Sequence, residues 1–267
     1  MSLKQQALQL LRRARLLETA DAARFRWLAR NSAAQREAFA RAYDNAPLPP
    51  DDIAYDAYGT LDWSFYWGFG KLIAEFLSPR IRAHASGGRV LEWGCGPARI
   101  IRHLPPMLGP AWRVTGSDAN ARTIRWCSEH LHDIEFVQND KAPPLPFSDA
   151  EFEFAYAISV FTHLDADLQR RWARELRRVL KPGGTLLCTL NGDASRSLLT
   201  PHEQAAYDRG EPVVRGDVTA GTRCFVAYHP TAYVRNDLLV ELEVVDYLPA
   251  PNVFGERQDV YMAKLRD

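Results

Sequence analysis

The sequence lacks a long apolar run, a net charge and any closely spaced pair of cysteines. Without an apolar stretch of about 20 residues it has no candidate transmembrane helix. A formal net charge of zero argues against a strongly basic nucleic-acid-binding protein. The four cysteines, Cys95, Cys127, Cys188 and Cys224, are too scattered for a disulfide framework or a zinc site. They are typical of reduced thiols in an intracellular protein, so we expect a cytoplasmic protein with no metal site. From the zero net charge and the missing apolar run we expect no nucleic-acid partner and no membrane partner.

The N-terminal segment also lacks the continuous apolar core of a secretory signal. It is arginine-rich and amphipathic, which leaves a transit peptide open, although Glu18 and Asp21 argue against one. The run NAPLPPDD then interrupts the helical pattern. We therefore expect an amphipathic helical appendage over residues 1–50 and a main domain over residues 51–267.

From residue 88 onward, short apolar runs alternate with amphipathic segments. The predicted strands are RVLEW, WRVTGSD, IEFVQ, EFEFAYAISV and TLLCTL, and the predicted helices between them are PARIIRHL, ANARTIRWCSEHL and DADLQRRWARELRRVLKPGG. Asn120 and Asp165 are suited to cap two of these helices. A further helix is predicted from Trp63 to Leu77, and LVELEVVDYL and QDVYMAKL predict a late antiparallel hairpin. The pattern predicts an α/β fold with a doubly wound, mostly parallel, seven-stranded, Rossmann-like sheet.

The stretch RVLEWGCGPARI joins the first of these strands to a glycine-rich turn. Such a turn before a helix often cradles phosphate, because backbone N–H groups and the helix dipole attract anions. Glu92 stands two residues ahead of the first glycine and would repel a phosphate. The ligand at this turn is therefore expected to carry no phosphate there.

Four landmarks in order, VLEWGCGPAR, GSDAN, LPFSDAEFEFAYAISVFTHL and RELRRVLKPGGTLL, resemble the class I S-adenosylmethionine-dependent methyltransferases over roughly residues 88–191. The resemblance implies S-adenosylmethionine as the cofactor, which has an ammonium and a sulfonium but no phosphate. It also implies that residues 51–267 form the methyltransferase domain, with a cap segment inserted at residues 192–228. One departure is Ala98, which replaces the family's third glycine and is small enough to preserve close packing.

The resemblance assigns cofactor roles to several residues. Glu92 would hold the amino group directly or through water, Asp118 would accept hydrogen bonds from both ribose hydroxyls, and Asp140 would meet the adenine amino group. Glu92 could instead cap the next helix, and Asp118 could form an Asx turn. The full predicted cofactor set is Tyr58, Trp67, Gly70, Glu92, Gly94, Cys95, Gly96, Arg99, Asp118, Ala119, Asp140, Lys141, Ile158, Ser159 and Phe161. For Tyr58, Trp67 and Phe161, a role in core packing remains the alternative.

Methyl transfer from a sulfonium needs alignment of the reacting atoms and exclusion of water. A hydroxyl acceptor would also need a general base, which is often histidine near neutral pH. His163, just past the fourth strand, and His229, on the later segment, are the candidates. Either could instead be a structural histidine bonded to the backbone.

The predicted activity is methyl transfer to an oxygen or nitrogen nucleophile of a small-molecule acceptor. The acceptor class follows by elimination, since no basic stripe favours nucleic acid. One alternative is a methyltransferase-like protein that binds or regulates without catalysis, which Glu92, Asp118 and Asp140 together argue against. The other is a nicotinamide-dependent oxidoreductase, which Glu92 and the late hairpin argue against. The oligomeric state is left open.

Overall fold

A seven-stranded sheet forms the centre of the protein. The computed structural model describes residues 11, 14, 16–215, 220–254 and 257–266. The sheet strands are β1 (Gly88–Trp93), β2 (Trp112–Asp118), β3 (Glu135–Gln138), β4 (Phe152–Ala157), β5 (Leu180–Leu190), β8 (Glu243–Leu248) and β9 (Asp259–Lys264). Their spatial order is β3-β2-β1-β4-β5-β9-β8. A separate antiparallel pair joins β6 (Val213–Arg215) to β7 (Val226–Tyr228).

The first five strands run parallel, and β9 and β8 form an antiparallel edge. From β1 the chain proceeds outward to β2 and β3, then crosses back to β4 on the other side of β1. Ligands of such sheets bind outside the carboxyl ends of the strands at this reversal. The predicted doubly wound, mostly parallel sheet with its late hairpin is confirmed, and the reversal places the candidate site beside β1.

Helices cover both faces of the sheet. They are α1 (Leu17–Ala29), α2 (Ser32–Ala42), α3 (Asp51–Tyr58), α4 (Trp63–His84), α5 (Leu104–Leu108), α6 (Ala121–His130), α7 (Ala166–Val179), α8 (Pro201–Asp208) and α9 (Thr231–Tyr233), which continues as a π-helix over Val234–Leu238. Asn120 caps α6 by accepting from two backbone N–H groups, and Asp165 caps α7, as predicted. None of the helices within the described ranges is both long enough and apolar enough to cross a bilayer.

The segment after the glycine-rich turn differs from the prediction. PARIIRHL was expected to be a helix, but a 3₁₀ turn occupies Ile101–His103 and the α-helix begins only at Leu104. The cause is local, because Gly94, Gly96 and Ala98 have φ values of +74°, +51° and +58°. A right-handed helix cannot contain residues in that region, so the chain forms irregular turns that expose backbone groups at the end of β1.

Two helical boundaries near the N-terminus also differ from the prediction. The helix predicted to end at Leu77 continues to His84 and includes Pro79. Helix α3 was not predicted; it starts after Pro50, carries acids in its first turn, and is followed by Gly59 with a φ of +65°. Acids at the start and a left-handed glycine at the end are ordinary helix signals, but the run of prolines before them reads as a linker.

The N-terminal helices share an apolar cluster with the main body. Phe39 of α2 packs with Tyr55 of α3 and with Trp63 and Tyr66 of α4. Partly buried Phe25 of α1 joins the same cluster. The predicted appendage therefore lies against α3 and α4, next to the end of β1.

Candidate functional site

A cavity of about 440 Å³ opens at the carboxyl ends of the parallel strands. Its volume falls in the range that accommodates small-molecule ligands. The structure brings these predicted site residues together on its wall: Tyr58, Gly94, Gly96, Arg99, Asp118, Ala119, Asp140, Lys141, Ile158, Ser159 and His163. They come from α3 and from the ends of four strands, so only the folded chain assembles them.

The glycine loop after β1 forms the floor of this cavity. The N–H groups of Gly94 and Cys95 both donate to the Ser117 carbonyl, at 2.8 and 2.9 Å, which ties the loop to β2. A Cβ at Gly94 would lie 2.5 Å from a methyl carbon of Val160, and its φ of +74° already disfavours a side chain. The absence of a side chain at Gly94 thus lets the glycine loop lie close to Val160, which follows β4.

Asp118 at the end of β2 is held by two backbone donors. Gly96 N–H donates to its Oδ2 at 2.9 Å, and Asn120 N–H donates to its Oδ1 at 2.8 Å. The second bond is the Asx turn considered as an alternative role, and the residue lines the cavity as well. Burial raises the pKa of Asp118 above its ordinary value, against the effect of these two bonds. The carboxylate keeps acceptor capacity for a ligand's hydroxyl groups.

Arg99 supplies a cation to the cavity wall. Its guanidinium carbon lies 4.1 Å from the ring centre of Tyr58 and 4.9 Å from that of Phe69. Its Nε is buried without a hydrogen-bond partner, and no carboxylate in the described part of the chain forms an ion pair with it. Burial lowers its pKa. A buried and unpaired guanidinium at a cavity is suited to bind an anionic group of a ligand.

Glu92 lies behind the glycine loop and does not itself line the cavity. It is 3% exposed, and its Oε2 accepts a hydrogen bond from the Tyr156 hydroxyl at 2.9 Å. Burial raises the pKa of Glu92 to about 8. The predicted role of Glu92, holding a ligand's amino group directly or through water, stays a prediction. The side chain turns into the sheet toward β4, which favours the route through water.

Cys95 and Phe161 also lie away from the cavity. The Cys95 side chain is buried against β2, where its Sγ would lie 3.0 Å from a Cβ placed at Gly116. The Phe161 ring is fully buried, and its centre lies 5.1 Å from that of Trp93. The core role considered as an alternative for Phe161 is what the structure shows.

Trp67 and Gly70 of α4 serve the packing of helices. The Trp67 ring lies edge-on to His103, with ring centres 4.6 Å apart, and close to Phe39 of α2. At Gly70 a Cβ would come within 1.9 Å of the Arg99 carbonyl oxygen. Gly70 therefore lets α4 approach the glycine loop, and neither residue lines the cavity.

The two candidate bases differ in their surroundings. His229 is fully buried away from the cavity, both of its ring nitrogens lack hydrogen-bond partners, and burial lowers its pKa to about 3. His163 lines the cavity, and its Nδ1 lies 2.8 Å from the Phe225 carbonyl oxygen. A carbonyl only accepts, so Nδ1 carries the proton and Nε2 keeps its lone pair. Burial lowers the pKa of His163, which keeps the ring neutral near pH 7.

Some cavity residues were missed from the sequence. Asp56 projects from α3, which was not predicted, and Arg223 comes from the cap segment, whose path has no sequence signal. Trp172 was predicted only as part of the apolar stripe of α7, and it also reaches the cavity wall. Ser159 has a φ of +61°, a strained conformation that is frequent at functional sites.

Comparisons with known proteins identify the family of this region. Residues 90–184 match the family model described as a methyltransferase domain. A ubiquinone/menaquinone biosynthesis C-methyltransferase of Pseudomonas paraeruginosa is 35% identical over 132 residues, which are 46% of this chain and 48% of that protein. The same-named protein of Pseudomonas savastanoi is 28% identical over 171 residues, 58% of this chain and 64% of that protein. The chain thus spans about half the length of the first of these curated relatives.

Solved structures share the fold. A Burkholderia thailandensis 1,6-didemethyltoxoflavin-N1-methyltransferase, solved with its acceptor and S-adenosylhomocysteine, has a TM-score of 0.53 at 16% identity and covers 90% of this chain and 91% of its own. A Methanosarcina mazei S-adenosylmethionine-dependent methyltransferase has a TM-score of 0.52 at 22% identity, with 70% and 97% covered. These likenesses support the fold, and the family match confirms the resemblance to the class I S-adenosylmethionine-dependent methyltransferases.

Proposed function

We propose that this chain, whose residues 90–184 are a methyltransferase domain, binds S-adenosylmethionine in the cavity and transfers its methyl group to an oxygen or nitrogen of a small-molecule acceptor. One observation carries the proposal. Asp118, the glycine loop and the unpaired Arg99 guanidinium meet on the wall of the same cavity. We also propose a cytoplasmic location, because the four cysteines are free thiols.

The residues present fit this cofactor by charge. S-adenosylmethionine has a carboxylate, an ammonium, a sulfonium and two ribose hydroxyls. Arg99 is the group suited to the carboxylate, and Asp118 has the acceptor capacity for the hydroxyls. Glu92 stands behind the loop and, when ionised, would favour a cation in the cavity through its charge or through a bridging water. The N–H groups of Gly94, Cys95 and Gly96 already donate within the protein. The loop therefore does not offer these N–H groups to a pyrophosphate, which argues against a nicotinamide cofactor.

The chain's own part in the reaction is to orient, to exclude water and to accept a proton. The bound cofactor would supply a methyl group already activated by its positive sulfur. Apolar residues on the cavity wall, such as Leu164, Leu168 and Trp172, keep water from the reacting atoms. His163 would accept the acceptor's proton at Nε2, because Nδ1 is occupied by its bond to the Phe225 carbonyl.

The experiment that tests this function is a screen of small-molecule acceptors with radiolabelled methyl donor, followed by mass spectrometry and NMR of any labelled product. An O-methyl or N-methyl product supports the proposal. A C-methyl product, which would match the C-methyltransferases of Pseudomonas described above, contradicts the proposed acceptor atom. Label transfer to no acceptor, together with specific binding of NADH, would overturn the function.

His163 is tested in the same assay with the acceptor found. His163→Gln keeps a donor near the Phe225 carbonyl but removes the base, so we expect turnover to fall by about 10²-fold or more with unchanged cofactor affinity. His132→Gln, at an exposed position outside the cavity, is the matched control. Equal turnover in the two variants would remove His163 from the reaction.

A further inference from the structure

A short segment of the cap, residues 221–225, holds His163 at two points. The Gly221 N–H donates to the His163 carbonyl at 2.8 Å. The His163 Nδ1–H donates to the Phe225 carbonyl at 2.8 Å. We call this segment the clamp. Because one bond fixes the backbone of His163 and the other fixes its ring, the position of the clamp decides where Nε2 points and which nitrogen carries the proton.

The clamp is attached to the N-terminal helix α1. Its residue Arg223 forms an ion pair with Asp21 of α1, and the two side chains are 23% and 25% exposed. The Arg223 guanidinium also lies over the Tyr55 ring, 4.8 Å from its centre. The Tyr55 hydroxyl donates to the other oxygen of Asp21 at 2.8 Å. Asp21 thus joins α1, α3 and the clamp in one network whose far end is His163.

The geometry points to a positioning role for Asp21 and Arg223: their ion pair on α1 holds the clamp and thereby fixes the tautomer and orientation of His163. This inference rests on the proposed function for its catalytic consequence. It gives the N-terminal helices a part in turnover that is separate from cofactor binding, because Asp21 and Tyr55 lie outside the cavity. Arg223 itself lines the cavity, so Asp21 is the residue that separates the two effects.

A spectroscopic test reads the tautomer of His163 without needing any activity. In ¹⁵N-histidine-labelled protein, long-range N–H correlations distinguish a ring protonated at Nδ1 from one protonated at Nε2, and His163→Gln identifies the signals. We expect wild type to show one tautomer with the proton on Nδ1. Arg223→Gln and Asp21→Asn should show a mixture of tautomers, because the clamp loses its attachment.

The matched control is another ion pair that attaches the N-terminal helices. Arg36 of α2 and Asp51 of α3 lie 2.6 Å apart, with side chains 31% and 24% exposed, and neither contacts the clamp. Asp51→Asn should weaken the attachment to a similar degree but leave the His163 tautomer as in wild type. A thermal scan of each variant establishes that it is folded before its spectrum is compared.

The expected catalytic consequence is a lower kcat without a matching loss of cofactor affinity. Arg223→Gln and Asp21→Asn should lower kcat about tenfold, a part of what a general base contributes. Because Asp21 does not line the cavity, the Kd of Asp21→Asn for S-adenosylhomocysteine should stay within about twofold of wild type. Because the two residues act as a unit, the double variant should be no slower than the slower single variant.

Several results would overturn the inference. One is a His163 spectrum in Arg223→Gln that matches wild type, and another is a tautomer mixture in Asp51→Asn as well. A loss of cofactor affinity in Asp21→Asn equal to its loss of kcat would also do so. If the tautomer responds as expected but wild type transfers no methyl group, the clamp stands and the proposed function falls.

Discussion

At the scale of single residues, two ionisable side chains withdrawn from water influence the site. Burial raises the pKa of Glu92 to about 8 and lowers the pKa of Arg99. Both changes have the same cause, because taking an ionised group out of water disfavours its charged form. Near neutral pH, Glu92 in the free protein is therefore largely protonated. A bound cation would favour its ionised form, so cofactor binding should release a proton.

Glu92→Gln tests the buried acid through the pH dependence of stability. The pKa of Glu92 in the folded protein, about 8, is above its ordinary value of 4.5, so the folded state holds an extra proton between these values. Its contribution to the free energy of unfolding is complete below pH ~4.5 and is lost as the pH rises through about 8. Relative to Glu92→Gln, wild type should lose roughly 2 kcal/mol between pH 6 and 8, measured by urea unfolding without ligand.

The exposed Glu129→Gln on α6 is the control for that comparison. It should keep the same pH dependence as wild type, since a solvated carboxylate has little to gain from folding. Parallel pH profiles for wild type and Glu92→Gln would show that Glu92 is ionised in the folded protein, and the account of its burial would be wrong.

The sequence predicted which residue types surround β1 but not where each side chain points. In a parallel sheet both faces are buried, so the run RVLEW does not show which way Glu92 turns. Phe161 and Trp67 show the same limit, because an aromatic residue in a core and one at a ligand site look alike in sequence. His163 and His229 both follow strands, so local sequence does not distinguish them. Only the folded structure shows that the His163 ring lies at the cavity and that the His229 ring is fully buried away from it.

At the scale of elements, the close approach of α4 to the glycine loop is the contact on which the site depends. Gly70 lies against the Arg99 carbonyl, while Gly68 of the same helix has nothing within 4 Å of the position of a Cβ. The same substitution at these two positions should therefore have opposite effects.

Gly70→Ala should destabilise the protein by about 1–3 kcal/mol, because the added methyl forces α4 away from the loop. It should also weaken cofactor binding, since the loop carries Arg99. Gly68→Ala should stabilise by about 0.5–1 kcal/mol through helix propensity alone. Thermal unfolding of both variants measures the change in stability, and cofactor titration measures the change in affinity. If Gly70→Ala changed neither the stability nor the cofactor affinity, α4 would not be in close contact with the loop.

Element prediction worked where local signals and packing agree. The caps Asn120 and Asp165 and the apolar stripe of α7 placed two helices correctly. It was wrong after β1, where PARIIRHL has helical residues but follows a loop with positive φ at Gly96 and Ala98. That conformation is imposed by the close packing of the loop on β2 and α4, which no local pattern records.

At the scale of the whole molecule, the N-terminal helices pack against α3 and α4 and contact residues 221–225 beside the cavity. The breaker run NAPLPPDD reads as a linker, yet Pro49 is buried and its carbonyl accepts a hydrogen bond from the Arg36 guanidinium. The Arg102 guanidinium likewise donates to the Pro47 carbonyl at 2.9 Å. The division between residues 1–50 and 51–267 stays a prediction from sequence, because long-range contacts of this kind cross it.

The sheet order followed from the alternation of strands and helices together with the family resemblance. The assembly of the cavity could not be predicted in this way, because α3 and residues 221–225 must lie across the ends of the strands to complete its wall. Those positions are set by the aromatic cluster around Tyr55 and by the Asp21–Arg223 pair. Neither has a signature in the local sequence.

The central claim is that the cavity beside β1 holds a positively charged, phosphate-free nucleoside through Asp118. Calorimetric titration of S-adenosylmethionine into wild type, Asp118→Ala and the exposed control Asp133→Ala tests it most directly. We predict one site in wild type and in the control, and a roughly 10- to 150-fold weaker affinity in Asp118→Ala, since hydrogen bonds to a charged group contribute about 1.5–3 kcal/mol. Absence of binding to wild type, or equal affinity in all three proteins, would contradict the account.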